Sequence, residues 1–187
     1  MHCHQNPWTI LDQRTVYDNP WIQVTEFGVL NPSGGQGIYG KVHFKNLAVG
    51  ILPLDAEMNI YLVGQYRFVL NLYSWEIPEG GGSVNEDPLD AAKRELLEET
   101  GLRAGDWNKL LTLHLSNSVS DEMAVIYLAR ELQQHKPRPD ETEALSIKKI
   151  PFDEALAMLE SGAITDAISV AAIRQVQLLM LQGKLKK

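Results

Sequence analysis

Short runs of apolar and β-branched residues, broken by polar turns, open the chain. WTILDQRTVY and WIQVTEFGVL read as strands, with Asp18, Asn19 and Pro20 as a turn between them. NPSGGQG, around Gly34 and Gly35, reads as a loop leading into a third run, GIYGKVHF. Residues 1–45 therefore form a small β extension, followed by a larger domain over 46–187. That domain begins with two apolar, β-rich runs, LAVGILPL and IYLVGQYRF, separated by Asp55–Asn59 in the manner of a hairpin. LLTLHLS, MAVIYLAREL and LSIKKI read as further strands. The pattern then changes to helical period in PFDEALAMLESG and from Asp166 to about Leu181. Strands punctuated by helices predict an α+β fold, layered α/β/α around a mixed sheet.

One helix has sharply written ends. Asp87 is a good N-cap, Pro88 suits the first helical position because its missing N–H has no partner there, and Gly101 can take the left-handed conformation that stops the helix. The predicted span is Pro88 to Thr100. Leu89, Ala92 and Leu96 share one face, while Glu95, Glu98 and Glu99 cluster on another around the small Ala91. Arg94 precedes Glu98 by one turn and can pair with it. Taken alone, such a cluster reads as a solvated acidic face with an intrahelical ion pair. Yet carboxylates at i, i+3 and i+4 repel one another, and hard divalent cations such as Mg²⁺ take oxygen ligands of this kind while bridging to phosphates.

Composition narrows the partners. With 24 acidic against 17 basic residues and a formal charge of −7, the chain offers no broad basic surface for nucleic acid, so an anionic ligand calls for a metal ion as intermediary. The single Cys3 cannot form an internal disulfide, no apolar run reaches the ~18 residues of a membrane span, and MHCHQNPW lacks a signal-peptide core. A cytoplasmic protein is expected. His2, Cys3 and His4 have no fourth ligand nearby and are assigned no role.

Upstream of the acidic helix stand Gly80, Gly81, Gly82 and Glu86. The pattern is Gly80, five residues, Glu86, seven residues, Arg94-Glu95-Leu96, one residue, Glu98-Glu99, one residue, Gly101-Leu102. It resembles, without a departure, the signature box of the Nudix hydrolases. The resemblance implies an α/β/α sandwich that hydrolyses a nucleoside diphosphate linked to another moiety, using Mg²⁺ or Mn²⁺. By position, Glu95 and Glu99 are then the main metal ligands, Glu98 a further ligand or hydrogen-bond partner, Arg94 the residue that orients them, and Glu79 the donor of a backbone carbonyl to metal. The box does not name the substrate.

Outside the box the chain resembles the ADP-ribose pyrophosphatase and nucleoside-diphosphate-sugar branch of the family. The β extension resembles one that builds a domain-swapped homodimer there, SWEIPEGG looks like the W-E-x-P-x-G run, and Arg67 stands where those enzymes keep a phosphate-facing arginine. The implied reaction is hydrolysis of ADP-ribose to AMP and ribose 5-phosphate. A proline common beyond the box is replaced by Asn117 and Ser118, which keeps ADP-glucose, GDP-mannose or a broad range open. A non-catalytic ADP-ribose-binding module would have lost metal glutamates, and an RNA-directed enzyme would need a basic channel. The resemblance also implies a general base in PDETE, at Glu143 with Glu141 as runner-up, on a loop with Pro137 and Pro139 that closes over substrate. Weaker candidates surround these. Trp21 stacks on a base across the dimer or serves a core or interface, and Glu76 touches ribose or base. Asp121 and Glu122 bind substrate or form a solvated turn. Trp75 is structural, and His114, in an apolar strand, is a core histidine.

Overall fold

The computed structural model describes residues 5–136 and 145–185. Its elements run β1 (Thr9–Asp18), β2 (Ile22–Leu30), β3 (Gln36–Phe44), β4 (Asn46–Pro53), β5 (Asn59–Arg67), β6 (Leu72–Glu76), β7 (Glu79–Ser83), α1 (Pro88–Thr100), β8 (Leu102–His114), β9 (Met123–Gln134), β10 (Ser146–Pro151), α2 (Phe152–Glu160) and α3 (Ala167–Leu181). They form two compact units. The first takes the chain up to Asn46 together with His114–Glu122, and the second takes Leu47–Leu113 and the chain from Met123 onward.

The first unit is an antiparallel sheet in the order β1-β2-β3. Turn chemistry sets its register: the Asn19 side chain accepts from the amides of Trp21 and Ile22 at 2.9 and 2.7 Å, and Asn31 accepts from Ser33 and Gly35 at 2.9 and 3.0 Å. Segment 114–122 joins the sheet by a parallel bridge between Val42 and Ser120, and the Asp121 carboxylate accepts from the Phe44 amide at 3.0 Å beside His43 Nδ1 at 2.8 Å. Those bonds engage Asp121 within the sheet. Every residue of β1, an edge strand, is exposed.

The second unit holds two sheets, β10-β5-β6 and β7-β4-β9-β8. β4 and β9 run parallel, from Ala48 opposite Ala124 to Pro53 opposite Ala129, and α1 lies on the chain connecting them. Five consecutive residues of β4, Val49–Pro53, are buried, so both of its faces are covered. Val49, Ile51, Leu102, Val125 and Tyr127 form a core with Ala91, Ala92 and Leu96 from α1, and α2 and α3 pack on β10, β5 and β9.

The expected hairpin across Asp55–Asn59 is corrected. Its turn forms, with Asp55 Oδ1 accepting from Asn59 N at 2.8 Å, but beyond one Leu54–Ile60 bridge the two strands enter different sheets. The hydrogen-bonding edges of β4 are taken by β7 and β9, which leaves β5 to pair with β10 and β6. β6 and the glycine-rich β7 were not read as strands. His114 is exposed, not core, because the end of β8 alternates inward and outward and His114 falls outward.

α1 follows its local signals throughout. Asp87 accepts from Leu89 N at 2.8 Å, and Gly101, at φ 72°, donates to Leu97 O at 2.9 Å. Asp87→Ala should therefore destabilise the protein by about 1 kcal/mol in urea unfolding, with Gly101→Ala of similar size. Unchanged midpoints for both variants would deny that these caps set the helix ends.

Candidate functional site

The acidic face of α1 lies against β7. Arg94 joins the two: its Nη1 donates to Glu95 Oε1 at 2.8 Å and to Glu98 Oε2 at 3.0 Å, and its Nη2 donates to the Gly81 carbonyl at 2.9 Å and reaches Glu86 Oε2 at 3.4 Å. Glu86 thus anchors the arginine, and the arginine gathers the Glu95 and Glu98 carboxylates, neighbours on the helix face. Burial works against its charge, but the hydrogen bonds it donates to Glu86, Glu95 and Glu98 outweigh that cost and hold the guanidinium above its ordinary pKa. Glu95 is the more enclosed of the pair, at 14% side-chain exposure against 40% for Glu98.

Gly80 has a steric reason. A Cβ there would stand 2.0 Å from Glu95 Cδ and 2.4 Å from both of its carboxylate oxygens, so the Glu95 side chain occupies the space a larger residue would fill. One residue earlier, the Glu79 amide donates to Glu99 Oε2 at 3.0 Å, and Glu99 is 4% exposed. The box glutamates are therefore seated against bare or amide-bearing backbone of β7. Hard carboxylate oxygens beside a main chain stripped of side-chain bulk suit a divalent cation. Among the described residues no three such side chains already converge as a closed cage. Mg²⁺ does not require one, since it keeps several waters and shares its shell with substrate phosphates.

A second cluster adjoins the first. Arg67 Nε donates to both oxygens of Glu76, at 3.0 and 3.1 Å, and Nη2 pairs with the same carboxylate. Those bonds hold the Arg67 pKa above its ordinary value. Glu76 is 2% exposed, while the Arg67 side chain keeps 39% of its surface. Glu76 thus orients Arg67 from inside. The Glu79 carboxyl lies beside Asp166, the N-cap of α3, and accepts from Ser169 Oγ at 3.2 Å. Burial, then the negative charge of Asp166, raises Glu79 well above the ordinary carboxylate range.

The remaining candidates are dispersed. Trp21 and Glu122 belong to the first unit: Trp21 is 66% exposed, and the Glu122 carbonyl accepts from Leu115 N at 3.2 Å. Glu141 and Glu143 lie outside the described residues. Trp75 stacks edge-on with Tyr73 at 5.6 Å. Asp166 and Ser169 were missed as site residues. The Asp-x-x-Ser spacing at the start of α3 marks a helix cap, but nothing local in it points toward β7.

Residues 44–173 match the NUDIX domain family, and residues 8–42 match the nucleoside diphosphate sugar hydrolase N-terminal domain. An ADP-ribose pyrophosphatase from Bacillus subtilis (strain 168) is 35% identical over 133 residues, covering 70% of this chain and 72% of that protein. A CMP-5'-(N-acetyl-N-hydroxy-3-aminopropyl)phosphonate hydrolase from Streptomyces rubellomurinus is 32% identical over 155 residues, covering 83% and 75%. The crystal structure of an ADP compounds hydrolase superposes with a TM-score of 0.85 at 26% identity, over 97% of this chain and 99% of that one.

The raised Glu79 pKa has a signed consequence. A carboxyl whose pKa is higher folded than unfolded contributes stability that is full below the ordinary carboxylate pKa and is lost as pH rises through the folded value. Glu79→Gln removes that loss. In EDTA, the melting temperature of the variant should gain on wild type as pH rises above the ordinary carboxylate range; parallel curves would contradict the assignment.

Proposed function

We propose that this chain, which belongs to the Nudix family, hydrolyses the diphosphate of a nucleoside diphosphate sugar, with ADP-ribose as the leading substrate and AMP and ribose 5-phosphate as products. The observation that carries the reading is the seating of Glu95 and Glu99 against Gly80 and the Glu79 amide, with Arg94 fixing the helix face to the loop. The names of the Bacillus relative and of the superposing hydrolase support ADP-ribose. A broad range including GDP-mannose and ADP-glucose is the second reading. It is favoured by Asn117 and Ser118 in place of proline, and by a relative named for a CMP-phosphonate.

In this account Glu95, Glu99 and the Glu79 carbonyl hold the cation, Mg²⁺ or in its place Mn²⁺, with Glu98 as a further ligand or hydrogen-bond partner. When bound, the cation neutralises diphosphate charge and acidifies the attacking water. Arg94 keeps the glutamates from splaying apart by tying two of them to Gly81 and Glu86. Arg67, oriented by the buried Glu76, presents its exposed part to a phosphate. Glu143, with Glu141 as the alternative, takes the proton from water as its oxygen attacks phosphorus and the bridging P–O bond breaks. Across the dimer, Trp21 offers an exposed aromatic face to a base, and Glu122 a polar contact.

A homodimer completes the proposal. β1 is an exposed edge strand carrying Ile10, Leu11, Val16 and Tyr17, and an apolar groove of about 310 Å³ lies in the same unit between Trp8, Phe27, Tyr39 and Val119. Exposed edges and grooves of this kind seek partners. A single cysteine, which cannot form an internal disulfide, supports a cytoplasmic location.

Activity on ADP-ribose should vanish in EDTA and return with Mg²⁺ or Mn²⁺. Glu143→Gln should lower kcat by at least ~10²-fold with substrate binding retained. Wild-type turnover in that variant would move the role to Glu141, and full wild-type activity in chelator would overturn the metal reading. Sedimentation at micromolar concentration should give twice the 21.0 kDa chain mass. A fully active monomer would defeat the dimer.

A further inference from the structure

We infer that Ser169, at the buried start of α3, is a positioning residue for the divalent cation, acting through the backbone of Glu79 on Glu99; the inference rests on Glu99 holding that cation. Ser169 is 0% exposed and makes three hydrogen bonds. Its amide donates to the Asp166 cap at 2.7 Å, its Oγ accepts from the Ile77 amide at 2.9 Å, and the same hydroxyl donates to Glu79 Oε1 at 3.2 Å. One hydroxyl therefore grips the chain on both sides of Pro78, over the short link between β6 and β7. The Glu79 amide, held in that grip, donates to Glu99 Oε2 at 3.0 Å.

The grip is referenced to the sheet. Pro78 lacks an N–H, and its carbonyl accepts from Ile51 N of β4 at 2.8 Å. Next to Ile51, Gly50 lets α3 approach closely: a Cβ there would stand 2.4 Å from Ile168 Cγ2. The Ile168 side chain thus seats the start of α3 on the bare backbone of β4, and Ser169 carries that seating through Ile77 and Glu79 to the amide that bonds Glu99. Ser169 is the one polar residue among the buried positions of α3, which are otherwise Ile168, Ala172, Ile173 and Val176. A helix needing only to pack would place an apolar residue there. A hydroxyl that also donates to Glu79 specifies the angle and position of a strand whose next amide faces a metal-binding carboxylate. Partners one step beyond the ligand set ligand orientation, and their loss typically costs 10–100-fold in metal affinity.

The test measures cation binding directly. Free Mn²⁺ is followed by electron paramagnetic resonance in titrations with wild type, Ser169→Ala, the isosteric Ser169→Cys, Val176→Ala as a packing control on the same helix, and Glu99→Gln. Each is run with Mn²⁺ alone and with Mn²⁺ plus α,β-methylene ADP-ribose, and melting temperatures are recorded beside them. Both Ser169 variants should bind Mn²⁺ about 10-fold or more weakly, whereas Val176→Ala should melt earlier and bind Mn²⁺ as wild type does. Two outcomes overturn the inference. If either folded Ser169 variant binds within about twofold of wild type while Glu99→Gln loses Mn²⁺, Ser169 is structural and the metal reading stands. If wild type binds no Mn²⁺ even with the diphosphate, both fall together.

Discussion

Like-charge repulsion on one helical turn is the constraint around which this structure is arranged. Glu95, Glu98 and Glu99 stand at i, i+3 and i+4, a spacing that destabilises a helix unless cations lie nearby. Three features of the surroundings answer it. Arg94 donates from one nitrogen to Glu95 and Glu98, the Glu79 amide donates to Glu99, and Gly80 offers no side chain where Glu95 lies. The repulsion is contained but not removed, since two carboxylates still share a single Arg94 nitrogen. A divalent cation at this face would offset the remaining negative charge, and would so link the stability of α1 to metal binding.

That arrangement explains why β7 is short and glycine-rich. A strand with bulky side chains at 80 and 82 would be pushed off α1, since a Cβ on Gly82 would stand 2.9 Å from that of Ala91. The small residues on both elements allow backbone to approach helix, and the approach brings the Glu79 amide to Glu99 and the Gly81 carbonyl to Arg94. β4 supports this from below through Ile51, which bonds to the Pro78 carbonyl, and α3 supports it from the side through Ser169. The site is local in sequence at its centre, from Glu79 to Gly101, and distant in sequence at its supports.

Legibility followed the same division. The span of α1 was readable because Asp87, Pro88 and Gly101 act at its ends, and the three strands of the first unit were readable because turn residues such as Asn19-Pro20 and Gly34-Gly35 separate runs of apolar and β-branched residues. Which strands pair was not readable from β4 and β5, whose Asp55 turn looks like a hairpin while the partners β4 takes, β7 and β9, lie further along the chain. His114 sits among apolar residues in sequence, yet its side of β8 is decided by register, which one residue of slip reverses. Within the site, the box showed which residues carry charge. It did not show that Glu76 would hold Arg67, or that the Glu79 side chain would meet Asp166 and Ser169 from a helix some 90 residues away.

The central claim is that carboxylates on α1 and backbone of β7 together hold the cation that receives the diphosphate. It is tested most directly by anomalous scattering from crystals grown with Mn²⁺ and α,β-methylene ADP-ribose. The account predicts anomalous density within coordination distance of Glu95 and Glu99 carboxylate oxygens, the Glu79 carbonyl and the diphosphate. A diphosphate seated in the protein with its Mn²⁺ density away from α1, or with none, would contradict it.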